Sequence, residues 1–332
     1  MRVIEFGVDL IPYSVRKIIP LAKALEENNF DYLWVADVDF ERDAYTALAL
    51  IGYSTTKIKI GTGVTNPLTR HPVTTAIAIS TMSELTNGRV TLALGTGDYH
   101  VMRMLNILPE KPLRALKEAT FIIRELLANK KVSFEGTYFK IKDVKLSFEN
   151  PFKVSIFIAG KGPKLLRLAG KIGDGVYLDA IPYEVFPKVK EIIRRGAESE
   201  GRKIDDLYLA NVIAFAMDKD HEKAVLMARK NTIYALASLP EYLLNELKVE
   251  HEIIENVRQS LPDFDKAEKY VPIDVAELFS ISGTPEECIE KIDKYHKEGL
   301  SQVVFILPPT QDLIEVAKQV NEKIISYFKE QQ

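Results

Sequence analysis

KIKIGTGVTNPLTRHPVTTAIAISTMSELTNGRVTLALGTGD, residues 57–98, carries the organisation of the whole chain in one unit. Lys57–Val64 is a short β-rich run that ends among glycines. The stretch Val73–Leu85 reads as a helix. Arg89–Gly95 returns to an extended apolar run and passes into Gly95-Thr96-Gly97-Asp98. A strand, a helix and a second strand in succession form a βαβ crossover, which makes the two strands parallel. Most of the chain's short strand patterns are apolar on both faces, as strands covered by helices are.

Outward from this unit the alternation continues. Val3–Leu10, Tyr32–Ala36, Val154–Gly160, Gly175–Ala180, Leu207–Met217 and Gln302–Leu307 are further strand patterns. Val15–Asn28, Asp43–Ser54 and Leu113–Leu127 are helical ones. Strand–helix alternation over eight units predicts an α/β fold, a (β/α)8 TIM barrel with insertion segments, with a doubly wound open sheet as the alternative. No low-complexity linker divides residues 1–332, which read as a single barrel domain. Two segments break the rhythm. FEGTYF (Phe134–Phe139) predicts a β-hairpin near residues 131–146. Residues 218–301, charge-rich and far longer than a crossover helix, predict a helical insertion over one end of the barrel.

Composition narrows the function. Forty-four Lys and Arg against 47 Asp and Glu leave a net charge of −3, with no basic surplus that calls for nucleic acid or an anionic membrane. The single cysteine, Cys288, excludes an intrachain disulfide and a cysteine-rich metal site, and points to a reducing, cytoplasmic setting. No apolar run approaches the roughly 18 residues of a membrane helix. Arg2, Glu5 and Asp9 interrupt the N-terminal apolar run, which does not read as a signal peptide. The expected partner is a small-molecule substrate.

In a TIM barrel the active site forms at the C-terminal ends of the strands. That rule selects Asp9, Asp37, the run Gly61 to Asn66, Gly95 to Asp98, Gly160-Lys161-Gly162 and Asp179. An Asp after a strand also caps the next helix, so Asp9, Asp37 and Asp98 each carry two readings. GTGVTN, GTGDYH and GKGPKL all lack the third glycine of the dinucleotide fingerprint, and there is no phosphate-loop motif. The glycines instead permit close approach of backbone to a flat ligand. Gly160 to Gly162, followed by Pro163 at the start of a helix, leaves backbone N–H groups for an anion such as a phosphate, or forms a plain turn. A metal held by His71 and the aspartates has no recognised spacing. Tyr32 and Trp34 read as core.

These residues resemble a family. RHPVTTAIAISTMSELTNGRVTLALGTGD (Arg70–Asp98) is similar to the signature of the bacterial luciferase-like flavin and deazaflavin oxidoreductases, and the likeness runs end to end through the FEGTYF hairpin and SGTPEECIEKI (Ser282–Ile292). Within it, GTGVTNPLTRHP (Gly61–Pro72), IAGKGPKLLRLAGKIGDGV (Ile158–Val176) and SISGTPEECIEKI look like segments of the coenzyme F420-dependent methylenetetrahydromethanopterin reductases. The resemblance implies F420 as cofactor, with FMN as the alternative, and no metal. It also implies a non-prolyl cis peptide at Gly63–Val64 supporting the ring, with Thr65 and Asn66 beside it. Gly97 and Asp98 would stand on the ring side, Ala159, Gly160, Lys161 and Gly162 would form the tail-phosphate turn, and Gly175 and Val176 a second wall. It further implies a homodimer or homotetramer built on helices of the first barrel units.

The reductases carry a Glu after strand one where this chain has Asp9. The related alcohol and sugar dehydrogenases carry Asp-His after strand two where this chain has Asp37-Val38. The implied chemistry is hydride transfer to a methylene-tetrahydropterin carrier, whose bridge opens once the leaving nitrogen is protonated. A carboxylic acid kept neutral by burial can do this. Asp9 is the expected acid, with Asp37 and Asp98 as the like charges that hold its proton on. The alternatives are an FMN-dependent monooxygenase of the same superfamily, an F420-dependent dehydrogenase for alcohols or sugar phosphates, and a non-catalytic flavin-binding barrel.

Overall fold

The computed structural model describes residues 3–38, 40–308 and 311–330. Eleven strands occur among them: β1 Glu5–Leu10, β2 Tyr32–Val35, β3 Lys59–Thr62, β4 Val90–Leu94, β5 Val132–Glu135, β6 Lys140–Val144, β7 Ser155–Ala159, β8 Gly175–Asp179, β9 Tyr208–Met217, β10 Ser280–Gly283 and β11 Gln302–Ile306. The main sheet runs β9-β11-β1-β2-β3-β4-β7-β8, and β8 pairs back to β9, closing eight parallel strands into a barrel. The open-sheet alternative is thereby excluded.

Side chains alternate across these strands. The outward set packs beneath the helices. The inward set fills the barrel with Tyr32, Trp34, Phe157, Tyr177 and small residues such as Ala93, Ala159 and Ala210. Trp34 is the plug. It is fully buried, stacks on Tyr32 with ring centroids 5.1 Å apart, meets Tyr177 at 4.9 Å, and donates from Nε1 to Gln302 Oε1 at 3.1 Å. Gly61 makes room for it: a Cβ there would lie 2.4 Å from the indole Cζ3.

The hairpin pairs β5 with β6. Its turn is held by Glu118, on the helix Pro112–Leu127, whose carboxylate accepts from the backbone N–H groups of Thr137 (2.9 Å), Tyr138 (2.8 Å) and Phe139 (3.3 Å). Those bonds outweigh burial and hold the Glu118 pKa below its usual range. The bonds therefore stabilise the fold at neutral pH, and their contribution is lost on acidification through the lowered pKa. Glu118→Ala is expected to cost about 1.5–3 kcal/mol at pH 7 and to speed amide exchange at residues 137–139. Unchanged exchange there would refute this role for Glu118.

The segment 218–301 is not purely helical. It contains β10, which pairs with Ala214–Met217 at the end of β9, beyond the stretch bonded to β8, and it closes with the helix Pro285–Lys297. SISG has no apolar run of its own. It becomes a strand because ten-residue β9 overhangs the barrel and offers it unpaired backbone groups. Residues 231–242 of the segment lie over the C-terminal ends of the strands: Asn231 Nδ2 donates to the carbonyls of Ile306 and Leu307, and Tyr242 Oη to that of Lys161. Among the described residues, no helix is long and apolar enough to cross a membrane.

Candidate active site at the C-terminal end of the barrel

The site is built on the exit of β3. The peptide bond between Gly63 and Val64 is cis. Thr65 then ties the turn to β4: its N–H donates to the Ala93 carbonyl (3.1 Å), and its own carbonyl accepts from Gly95 N–H (2.9 Å). Thr65 Oγ1 donates to Asp37 Oδ2 at 2.6 Å and accepts from Tyr45 Oη at 3.3 Å. Asn66 closes the turn by accepting from the N–H groups of Leu68 and Thr69, both at 3.0 Å. Thr65 and Asn66 thus shape the loop with their polar atoms turned inward. Val64 is left against Gly95, where a Cβ would come within 2.9 Å of Val64 Cγ2. Gly97 packs on Asn66 and Met102.

Asp9 lies against this bulge. A Cβ on Gly63 would stand 3.1 Å from both of its carboxylate oxygens. Oδ2 accepts from Tyr177 Oη at 2.7 Å, whereas Oδ1 is buried with no hydrogen-bond partner among the described residues. Burial pushes its pKa from the carboxylate range up to about 7, against the opposing pull of the Tyr177 hydroxyl and the Leu10 backbone N–H and with a smaller push from Asp179. At neutral pH this carboxyl is poised between acid and base. Tyr177 is driven well above its usual value by burial and by Asp9, and stays a donor.

The other expected residues divide. Asp37 is also pushed up by burial, but Thr65 holds it, and the charges around it are Asp43 and Arg70. Asp98 stands exposed at the rim and caps the helix Tyr99–Met104, accepting from Val101 N–H at 3.1 Å. The expectation that Asp37 and Asp98 supply the like charge on Asp9 is therefore corrected: Asp179 does. Ala159 to Gly162 form the turn at the end of β7. Gly160 has φ +150°, and a Cβ there would lie 2.1 Å from Leu165, so only glycine fits. Gly162 precedes the helix Pro163–Ile172 with no side-chain cap, beside open space. The Lys161 ammonium does not face this turn freely. It is buried in an ion pair with Asp179 Oδ2 at 2.7 Å and reaches the Ala235 carbonyl at 3.4 Å. Gly175 and Val176 do not wall the site. They open β8 at the opposite end of the barrel, where Gly175 pairs with Tyr208 and Val176 faces the helices. Gly175 makes room there for the Phe157 ring, which a Cβ would approach to 2.6 Å. His71 caps the helix Pro72–Leu85, its Nδ1 accepting from Val73 N–H.

Tyr177 is the functional residue the sequence reading passed over. The signal was the period of two: Tyr177 and Asp179 share the inward face of β8, and Asp179 already marked that strand's end.

The family model for luciferase-like monooxygenases matches residues 4–302 of the chain. The chain is 34% identical over 335 residues to the 5,10-methylenetetrahydromethanopterin reductase of Archaeoglobus fulgidus, covering 98% of this chain and 100% of that one. It is 29% identical to an F420-dependent glucose-6-phosphate dehydrogenase of Amycolatopsis mediterranei, over 91% of this chain and 89% of that one. Its structure superposes on that of the coenzyme F420-dependent tetrahydromethanopterin reductase from Methanopyrus kandleri with a TM-score of 0.89, at 29% identity, over 98% of this chain and 99% of that one.

Proposed function

The chain belongs to the family of luciferase-like monooxygenases, and from that premise we propose that it is a coenzyme F420-dependent oxidoreductase of the methylenetetrahydromethanopterin reductase type. The observation that carries the chemistry is the Asp9 carboxyl, buried against the Gly63–Val64 bulge with one oxygen unpartnered.

The residues present fit a deazaflavin. Gly63 and Gly95 leave the mouth without Cβ atoms, so backbone and the Val64 side chain can meet a flat ring. The backbone N–H groups of the Gly160–Gly162 turn and the uncapped helix start suit the tail phosphate. Gly97 and Asp98 border the same opening. Bound there in its reduced form, F420 supplies the hydride.

The protein's own part is the proton. Neutral Asp9 donates it to the leaving nitrogen of the methylene bridge. The C–N bond breaks with its electron pair on that nitrogen, and the carrier's iminium carbon is left to accept the hydride. Asp9, now a carboxylate, regains a proton from solvent. Asp37 sustains the bulge through Thr65, and Asp98 shapes the rim.

A hydride-transfer assay with methylenetetrahydromethanopterin tests the reading. Turnover is expected with reduced F420 and not with reduced FMN or NADPH; turnover with FMN or NADPH alone would refute it. The outer faces of the helices Ala44–Ser54 and Pro72–Leu85 carry exposed Tyr53, Ile77 and Leu85, which supports a homodimer or homotetramer assembled through them. The lone Cys288, buried and unpaired, supports a reducing cytoplasm.

A further inference from the structure

We infer that Tyr177 and the Lys161–Asp179 pair are positioning residues for Asp9: Tyr177 selects which carboxyl oxygen carries the proton, and the pair sets the charge that Asp9 faces. The inference rests on the role proposed for Asp9 and deepens it.

Tyr177 Oη donates to Asp9 Oδ2, so in the neutral acid the proton sits on Oδ1, the oxygen without a partner. Without Tyr177 either oxygen could hold it, and half of the population would present the wrong one. The groups that bear on Asp9 come from few elements. Tyr177 and Asp179 face it from β8, two residues apart on one side of the strand, the backbone N–H of Leu10 bears on it from its own strand, and the bulge after β3 presents only Gly63. Lys161, from the turn after β7, reaches it through Asp179. Lys161 is itself held by the inserted segment at both ends: its ammonium donates to the Ala235 carbonyl, and its backbone carbonyl accepts from the Tyr242 hydroxyl. Asp179 favours the protonated acid, and Lys161 offsets it. The loop that would take the cofactor's tail is thus wired to the catalytic proton by two side chains.

The test is a titration of the cofactor-free protein by carbon-13 NMR with carboxyl-labelled aspartate, the Asp9 signal being identified by its loss in Asp9→Asn. Tyr177→Phe removes a bond to the carboxylate and is expected to raise the Asp9 midpoint by about one pH unit. Asp179→Asn removes a like charge and frees Lys161, and is expected to lower it by about as much. The same variants are then assayed with reduced F420. The alkaline limb of kcat/KM should move in step, and at pH below the midpoint, where Asp9 is protonated in both proteins, Tyr177→Phe should lose about twofold in kcat with the KM for the cofactor unchanged. Asp9 midpoints that stay put in both variants would overturn the inference. Midpoints that move in a wild-type background showing no F420 turnover would support the positioning and sink the assigned reaction instead. Should Tyr177→Phe fail to fold, Asp179→Asn, altered at a half-exposed carboxylate, decides alone.

Discussion

Asp9→Asn is expected to lower kcat for reduction of the methylene carrier by about 10²- to 10⁴-fold, the range for loss of a general acid, while the affinity for F420 changes little. An amide cannot give up a proton to the leaving nitrogen, but it keeps the volume and can still accept from Tyr177. The same variant carries a stability signature. The folded-state pKa of Asp9, about 7, lies well above the carboxylate range of an unfolded chain. The folded state therefore binds this proton more tightly, so its contribution to stability is full below about pH 4 and is lost as pH rises towards 7. Asp9→Asn is thus expected to be more stable than the parent above pH 7, by roughly 1–3 kcal/mol once the unpartnered amide is allowed for. It should gain nothing below pH 4. Urea unfolding at pH 4 and pH 8, with turnover at pH 7, checks both halves. Near-parental turnover, or an equal stability change at the two pH values, would show that Asp9 is not the buried acid.

Trp34→Ala is the variant with the largest expected loss of stability, about 3–5 kcal/mol. The indole is fully buried at the centre of the barrel, between Tyr32, Phe157 and Tyr177, and its N–H is satisfied by Gln302. Its removal leaves a cavity among rings that the closed strands cannot collapse, and strands Gln302 as well. Gly61→Ala approaches the same contact from the other side, because its Cβ would overlap the indole ring, and should cost about 1–3 kcal/mol. Combining Gly61→Ala with Trp34→Phe should cost less than the sum of the two single changes, since the smaller ring relieves the overlap. Strict additivity in denaturant midpoints would mean that Gly61 and Trp34 do not share this space.

Much of the architecture was legible in the chain. The Lys57–Asp98 unit, repeated with varied helices, carries a period-two and period-3.6 pattern that adjacent residues impose on one another, and eight such units have few ways to bury their strands. Position at a strand's C-terminal end then marked Asp9, Gly63, Gly97 and Gly160 without knowledge of any contact. The weak point was β10. Ser280–Gly283 has no strand pattern, and only the overhang of β9 makes it one. Gly175 and Val176 misled for a related reason: a glycine beside a strand looks the same at either end of the barrel, and β8 puts these at its beginning.

The site's chemistry divides in the same way. The sequence by itself determined that small residues and carboxylates gather where parallel strands end, because strand direction and side-chain alternation are properties of neighbours in the chain. It could not decide which carboxylate is the acid. Asp9, Asp37 and Asp98 are alike as strand-end aspartates, yet one is buried with an empty oxygen, one is bonded to a threonine and one caps a helix. Those differences come from partners far away in sequence: Tyr177 meets Asp9 across 168 residues, and Lys161 meets Asp179 from the next strand over. Only closure of the barrel brings them together, because desolvation and hydrogen bonding depend on what stands within a few ångströms and not on what precedes a residue in the chain.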